Sequence, residues 1–172
     1  SPAAVLALKK SGITKPADLN GKKLGAPVFD SGRKAFHIIE KANNVTNVAW
    51  TSMDPPLRET MLMRGDVDAI TGFSFTSILN LAARGAKTEE IVVMPFADFG
   101  VKLYGNAIIV SPKMLKENPT AVKAFLSAFT KGAKEVIANP DAAIGVVKER
   151  DGIINTALET RRLKLAIDSV VA

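Results

Sequence analysis

The stretch Asn20-Gly21-Lys22-Lys23-Leu24-Gly25-Ala26-Pro27-Val28-Phe29-Asp30-Ser31-Gly32-Arg33 decides the fold class. Asn20-Gly21 is a turn signal. Lys23 to Pro27 reads as a short strand. Asp30-Ser31-Gly32 then opens a helix over 33–42 with Ala35, Ile38 and Ile39 on its apolar side, and Asn43-Asn44 closes it. A strand that runs straight into a helix is the first half of a βαβ unit. The alternation continues downstream. A strand is expected over 45–51, and Asp54-Pro55-Pro56 opens a helix that stops at Gly65. A strand over 67–71 leads to a helix capped by Ser74 or Thr76 and ended near Gly85, and a strand over 91–95 follows. Upstream, Val5 to Leu8 is a short apolar strand, and Thr14 is a candidate cap for one helical turn. The whole predicts an α/β fold with a mainly parallel sheet.

A further strand is expected over 105–110, where Ala107-Ile108-Ile109-Val110 is an unbroken apolar run. Beyond it the sequence is all helix. Ser111 caps a short helix with Pro112 at its first position. Over 119–139, Val122, Phe125, Leu126, Phe129, Ala133, Val136 and Ile137 recur at helical spacing on one face. A second helix covers 141–149, and Thr156-Ala157-Leu158-Glu159 forms a capping box that opens a third. The change of pattern after Val110 is the main organisational break.

Composition narrows the function classes. With 47% hydrophobic and 23% charged residues the chain has enough apolar surface for a core, so it is not a disordered segment. At 172 residues it suits one domain or two small lobes. With Cys 0, disulfide frameworks, thiolate metal sites and cysteine nucleophiles are excluded. His37 is the single histidine, which removes a His-rich metal site or a His–His acid/base pair. No run approaches the length of a membrane span. The net charge of +6 divides evenly, 13 basic against 10 acidic residues over 1–110 and 10 against 7 over 111–172. Paired charges such as Lys9-Lys10 and Arg161-Arg162 make no stripe, so no nucleic-acid partner is expected.

The usual nucleotide, zinc-protease and hydrolase signatures do not occur, and no cofactor is called for. Asp66 and Asp68 read as a solvated turn, and His37 as a core or boundary histidine. Two strand-to-helix junctions carry more chemistry. In the first, Asp30, Ser31, Gly32 and Arg33 stand at a helix N-terminus, where free N–H groups favour an anion. Arg33 adds a planar fork, whereas the Asp30 carboxylate already occupies the positive end. An ordinary cap with a surface arginine fits the same residues. In the second junction, Gly72, Phe73, Ser74 and Phe75 place a hydroxyl between two aromatic walls; two core phenylalanines beside a cap would read alike. Ligands of α/β sheets bind beyond the carboxyl ends of strands, where both junctions lie. Trp50 ends a third strand nearby, and Tyr104 is placed to close over the same crevice.

Several segments then resemble a known family. Gly12-Ile13 followed by Lys15-Pro16-Ala17-Asp18-Leu19-Asn20-Gly21-Lys22-Lys23-Leu24-Gly25 is similar to a stretch of the substrate-binding proteins of ABC importers. The subgroup is the nitrate/sulfonate/taurine type, which includes binders of thiamine-precursor pyrimidines. Gly65-Asp66-Val67-Asp68-Ala69-Ile70 resembles the entry to one of its strands. Tyr104-Gly105-Asn106-Ala107-Ile108-Ile109-Val110-Ser111 with Asn118-Pro119-Thr120-Ala121-Val122 resembles its return strand and the helix after it.

The resemblance implies a type II periplasmic-binding-protein-like, bilobal α/β fold that lacks most of the N-terminal part of lobe 1. Residues 1–22 would be the end of lobe 1 and the crossover, 23–101 lobe 2, and 102–172 the return crossover with lobe 1 helices. It implies a non-enzymatic receptor that delivers a small organic or anionic solute to ABC permease subunits by hinge closure. It also implies a periplasmic location, the signal peptide lying outside this fragment. The ligand loops of the family fall on Asp30, Ser31, Gly32 and Arg33 and on Gly72, Phe73, Ser74 and Phe75, with Trp50 and Tyr104 beside them. The acid and base in the first loop depart from the family's Gly/Ser-rich pattern and would suit a zwitterion or a heteroaromatic ring. Two alternatives share the fold: a pyrimidine-precursor synthase, which in that family uses a His and a Cys-rich segment, and the effector domain of a transcription regulator. A fragment of this kind is expected to leave the apolar faces of 5–8 and 108–110 uncovered and to self-associate through them.

Overall fold

The computed structural model describes residues 1–102 and 104–170. It divides into two compact units, the first Ser1–Gly105 and the second beginning at Asn106.

Unit 1 is a five-stranded sheet with helices on its faces. Its strands are β1 (Ala3–Leu8), β2 (Lys23–Ala26), β3 (Ala49–Ser52), β4 (Ala69–Phe73) and β5 (Ile91–Pro95), in the order β3-β2-β4-β1-β5. β2 runs parallel to β3 and β4, while β1 runs antiparallel to β4 and β5. The helices are α1 (Ser31–Asn43), α2 (Arg58–Arg64) and α3 (Ser74–Ala83). The α/β alternation read from the sequence is therefore present, with one strand reversed.

That reversed strand bears on two expectations. The stretch 3–8, expected at the end of lobe 1, forms β1 inside the sheet of unit 1, between β4 and β5. Contrary to the second expectation, no face of 5–8 is uncovered. Val5 and Ala7 enter one core cluster with Leu24, Phe36 and Phe96, while Ala4, Leu6 and Leu8 enter the other with Leu62, Ile70 and Leu81. A strand buried on both faces needs an unbroken apolar run, which Ala3-Ala4-Val5-Leu6-Ala7-Leu8 supplies.

Helix starts follow local chemistry. Asp30 caps α1, its side chain accepting the Arg33 N–H, and Asn44 ends the helix in the left-handed conformation. Pro55–Leu57 forms a 3₁₀ turn ahead of α2, and Asp54 makes no side-chain cap there. α3 begins directly after β4, with Phe73 at the cap position and no side-chain cap from Ser74 or Thr76. The β3 pairing is shorter than the expected 45–51 and shifted to Ala49–Ser52.

Unit 2 contains α4 (Pro112–Glu117), α5 (Pro119–Ala138), α6 (Pro140–Arg150) and α7 (Thr156–Val170). The Ser111 hydroxyl accepts the Met114 N–H and caps α4 as expected. At α7 the cap is Asn155, which accepts the Leu158 N–H, in place of the expected Thr156 box. No strand forms over 105–110. An extended segment needs a partner for its backbone groups, and no described strand pairs with it. Ile109 is 88% exposed.

Candidate functional site

β2 and β4 are parallel neighbours, so their carboxyl ends open on the same edge of the sheet. The first junction leaves β2 for α1, the second leaves β4 for α3. One side chain ties them together: Asp30 Oδ1 accepts both the Arg33 backbone N–H, at 2.9 Å, and the Thr71 hydroxyl of β4, at 2.8 Å.

A third element reaches the same place. Arg58, at the start of α2, puts Nη1 3.5 Å from Asp30 Oδ2 and Nε 3.6 Å from Glu59 Oε1. Glu59 is 1% exposed and accepts the hydroxyl of buried Ser77, in α3, at 2.8 Å. The chain Ser77–Glu59–Arg58–Asp30–Thr71 therefore links α3, α2, α1 and β4. A buried carboxylate requires such partners, because an unpaired charge there is costly. Arg58 Nε is buried without a hydrogen-bond partner among the described residues.

Two glycines make room for this cluster. A Cβ at Gly72 would come within 2.8 Å of Ser77 Oγ and 3.2 Å of Arg58 Cζ. A Cβ at Gly32 would come within 2.9 Å of Asp30 Oδ1 and 3.1 Å of the Thr71 Cβ. Neither glycine is needed for a left-handed backbone; each is needed for close approach.

Above the cluster lies a recess of about 210 Å³ lined by Asp30, Ser31, Arg58, Gly72, Phe73 and Thr76. It is the meeting point of charged, hydroxyl and aromatic groups in unit 1. A larger cavity of about 590 Å³ in unit 2, lined by Val136, Ile144, Val147 and Leu163 among others, is mainly apolar and carries no comparable chemistry.

The structure gathers some of the sequence-named residues and separates others. Asp30, Ser31, Gly72 and Phe73 line the recess, and Gly32 backs it. Arg33 is engaged elsewhere: its Nη1 donates to Ser52 Oγ at 2.9 Å and to the Ala26 carbonyl at 3.4 Å. Its guanidinium lies 5.0 Å from the Trp50 ring centre, and Phe36 meets Trp50 edge-on at 5.2 Å. Arg33, in α1, and Trp50 thus form a cation–π pair outside the recess lining, and Trp50 is the second residue of β3 rather than its end. Ser74 does not line the recess, and its N–H donates to the Pro2 carbonyl. The Phe75 ring packs 5.9 Å from that of Phe73. Tyr104 is 99% exposed and is not part of the recess lining.

Sequence reading missed Arg58 and Thr76 in the lining and Glu59, Thr71 and Ser77 beneath it. A signal existed for Glu59. It stands three residues before Leu62, the other buried position of α2, and a carboxylate on a buried helix face needs a partner. The other acidic and histidine candidates have structural roles. Asp68 accepts the Lys23 N–H at 2.8 Å, and Asp66 pairs with Arg64 at 3.2 Å. His37 is exposed, contrary to the expected core or boundary position, with Nδ1 2.9 Å from the Lys34 carbonyl oxygen. No cluster of three or more His, Asp or Glu residues able to hold a metal occurs among the described residues. Away from the recess, the Asp18 carboxyl is held below its usual range. It is lowered chiefly by the Thr14 backbone N–H, with desolvation opposing and the Thr14 hydroxyl and Lys15 N–H adding to the effect.

The fold is a mixed α/β one built on a five-stranded sheet, and it is similar to that of periplasmic-binding-protein-like structures. The structure matches the periplasmic aliphatic sulphonate binding protein SsuA from Escherichia coli with a TM-score of 0.79, over 95% of this chain and 54% of that one. At 15% identity, that likeness is one of fold. The chain belongs to the NMT1/THI5 like family, whose model matches residues 1–143. It is 34% identical over 148 residues to a protein of Haemophilus influenzae named for thiamine biosynthesis, covering 81% of this chain and 44% of that protein. It is 26% identical over 144 residues to the riboflavin-binding protein RibY of Chloroflexus aurantiacus, covering 83% of this chain and 40% of that protein. The chain thus spans less than half the length of these two relatives.

Proposed function

We propose that this chain carries the solute-recognising part of a receptor for an ABC importer. The solute is a small organic molecule with polar edges, held first at the recess beside Asp30 and Arg58. Hinge closure then presents the loaded receptor to the permease subunits, in the periplasm. The observation that carries the reading is the recess itself. It sits at the carboxyl ends of two adjacent parallel strands, where ligands of such sheets bind. It is lined by an acid, a base, two hydroxyls and an aromatic ring. The fold it shares with SsuA and the riboflavin-binding name of one relative support the same reading.

The test is a thermal-shift screen with taurine, alkylsulfonates, nitrate, aminopyrimidines and aromatic carboxylates. A ligand at a hundred times its Kd stabilises the folded state by about 2.7 kcal/mol. One class raising Tm in a saturable way is the expected result. No saturable shift with any class would remove the reading for this chain.

The thiamine-biosynthesis name of the Haemophilus influenzae relative favours a second reading, a pyrimidine-precursor enzyme. The two separate by mass spectrometry after incubation. A receptor returns its ligand unchanged, and an enzyme does not.

A further inference from the structure

One face of α5 carries both an apolar ridge and an apolar hollow. The ridge is Phe125 and Phe129, whose rings lie 6.3 Å apart and 27° from parallel. They are 58% and 54% exposed, so no described element packs over them. Gly132 and Val136 follow at seven-residue spacing, two turns further along the same face. There the surface is hollow. Gly132, Val136, Ile144, Val147 and Leu163 help to line the apolar cavity of about 590 Å³ that α5, α6 and α7 enclose. A Cβ built on Gly132 would meet nothing within 4 Å, so the hollow is open at that point. The faces of β1 are closed within unit 1, so self-association through residues 5–8 is not available.

We propose that the hollow is filled by the Phe125–Phe129 ridge of a second copy of this chain. A ridge and a hollow at fixed spacing on one helix face are self-complementary. Two α5 helices laid antiparallel across a two-fold axis place Phe125 opposite Val136 and Phe129 opposite Gly132, in both directions at once. The missing side chain at Gly132 lets the facing ring come close to the helix, and Val136, Val147 and Leu163 wall it. Lys123, Lys131 and Lys134 share a different face of α5, so the seam keeps like charges apart. Each contact takes two aromatic side chains out of water. The two together bury on the order of 1,200 Å² in total, the low end for a stable interface, so association is expected at tens of micromolar and above.

The test is sedimentation equilibrium of the full chain from about 5 to about 200 μM, a range that brackets that affinity. A reversible monomer–dimer equilibrium is the expected result. Phe129→Lys removes part of the ridge and Gly132→Glu blocks the hollow, and each weakens dimerisation by about tenfold or more. Both variants keep the fold. Phe129 is exposed, and glutamate is a better helix former than glycine at an open position. Mixed in equal amounts, the two variants associate about threefold or more tighter than either alone, because the mixed pair keeps one native contact and sets the introduced lysine opposite the introduced glutamate. A chain that stays monomeric throughout the range overturns the proposal, and so does unchanged dimerisation in both variants. Assemblies that grow beyond the dimer overturn it as well, as does a mixture that associates no better than its parts, because a two-fold seam allows neither.

Discussion

The two units bury their apolar residues very differently. In unit 1 the sheet is covered on both faces, and two clusters close around β1 and its neighbours. In unit 2 the apolar stripe of α5 is as regular as any in the chain, yet Phe125, Leu126, Phe129 and Ile137 are exposed. Among the described residues, Ile144 is the one buried hydrophobic of that unit. Both sequences are patterned for burial; one finds its partner elements within the unit. Periodicity reports which face of an element wants a partner, and not whether the partner is at hand.

The comparison can be broken by mutation. Phe36, in α1, is 1% exposed and contacts Trp50, so Phe36→Ala should cost about 3–5 kcal/mol in urea unfolding. Phe129, in α5, is 54% exposed, and Phe129→Ala should cost less than about 1 kcal/mol. Equal losses would show that the two faces are equally packed. Glu59→Ala should cost about 3 kcal/mol, because it leaves Arg58 buried beside an orphaned Ser77 hydroxyl. A loss below about 1 kcal/mol would mean that Arg58 does not depend on this partner. Gly72→Ala should cost about 1–3 kcal/mol by driving a methyl against Ser77 and Arg58, and it should shrink the recess. Wild-type stability with unchanged ligand affinity in that variant would contradict the close approach described.

The smallest effect concerns pH. The Asp18 carboxyl titrates below its usual range because Thr14 and Lys15 donate to it. Its folded pKa is depressed. The stability it contributes is therefore present above the unfolded value and is lost as pH falls through the folded one. A carbon-detected NMR titration should place its midpoint below the usual aspartate range, and Thr14→Val should move it upward. A midpoint unaffected by that change would remove the Thr14 hydroxyl as a contributor.

Much of the fold was legible because the signals are local. Pro and Gly punctuation placed the helices of unit 1, and Asp30 as a cap followed from its position before Ser31-Gly32. What could not be read was partnership. Nothing in Val5–Leu8 says that β1 runs antiparallel between β4 and β5, since a strand buried on both faces looks the same in either direction. The run Ala107–Val110 has the composition of a strand, but pairing depends on residues far away in sequence. The same limit governed the site. Asp30, Ser31, Gly72 and Phe73, which line the recess, were named from two junctions, each a local motif. Arg58 arrives from α2 and owes its place to Glu59 and Ser77, contacts that exist only once three helices are packed. Arg33 stands outside the recess lining for a related reason: Ser52 and Trp50, brought alongside by β3, are its partners.

The most direct test of the central claim is an amide NMR titration of the chain with the solute that raises its Tm. The account predicts that shift changes concentrate at Asp30, Ser31, Arg58, Gly72, Phe73 and Thr76, around the recess. Changes confined to Val136, Ile144, Val147 and Leu163, in the apolar cavity of unit 2, would contradict it.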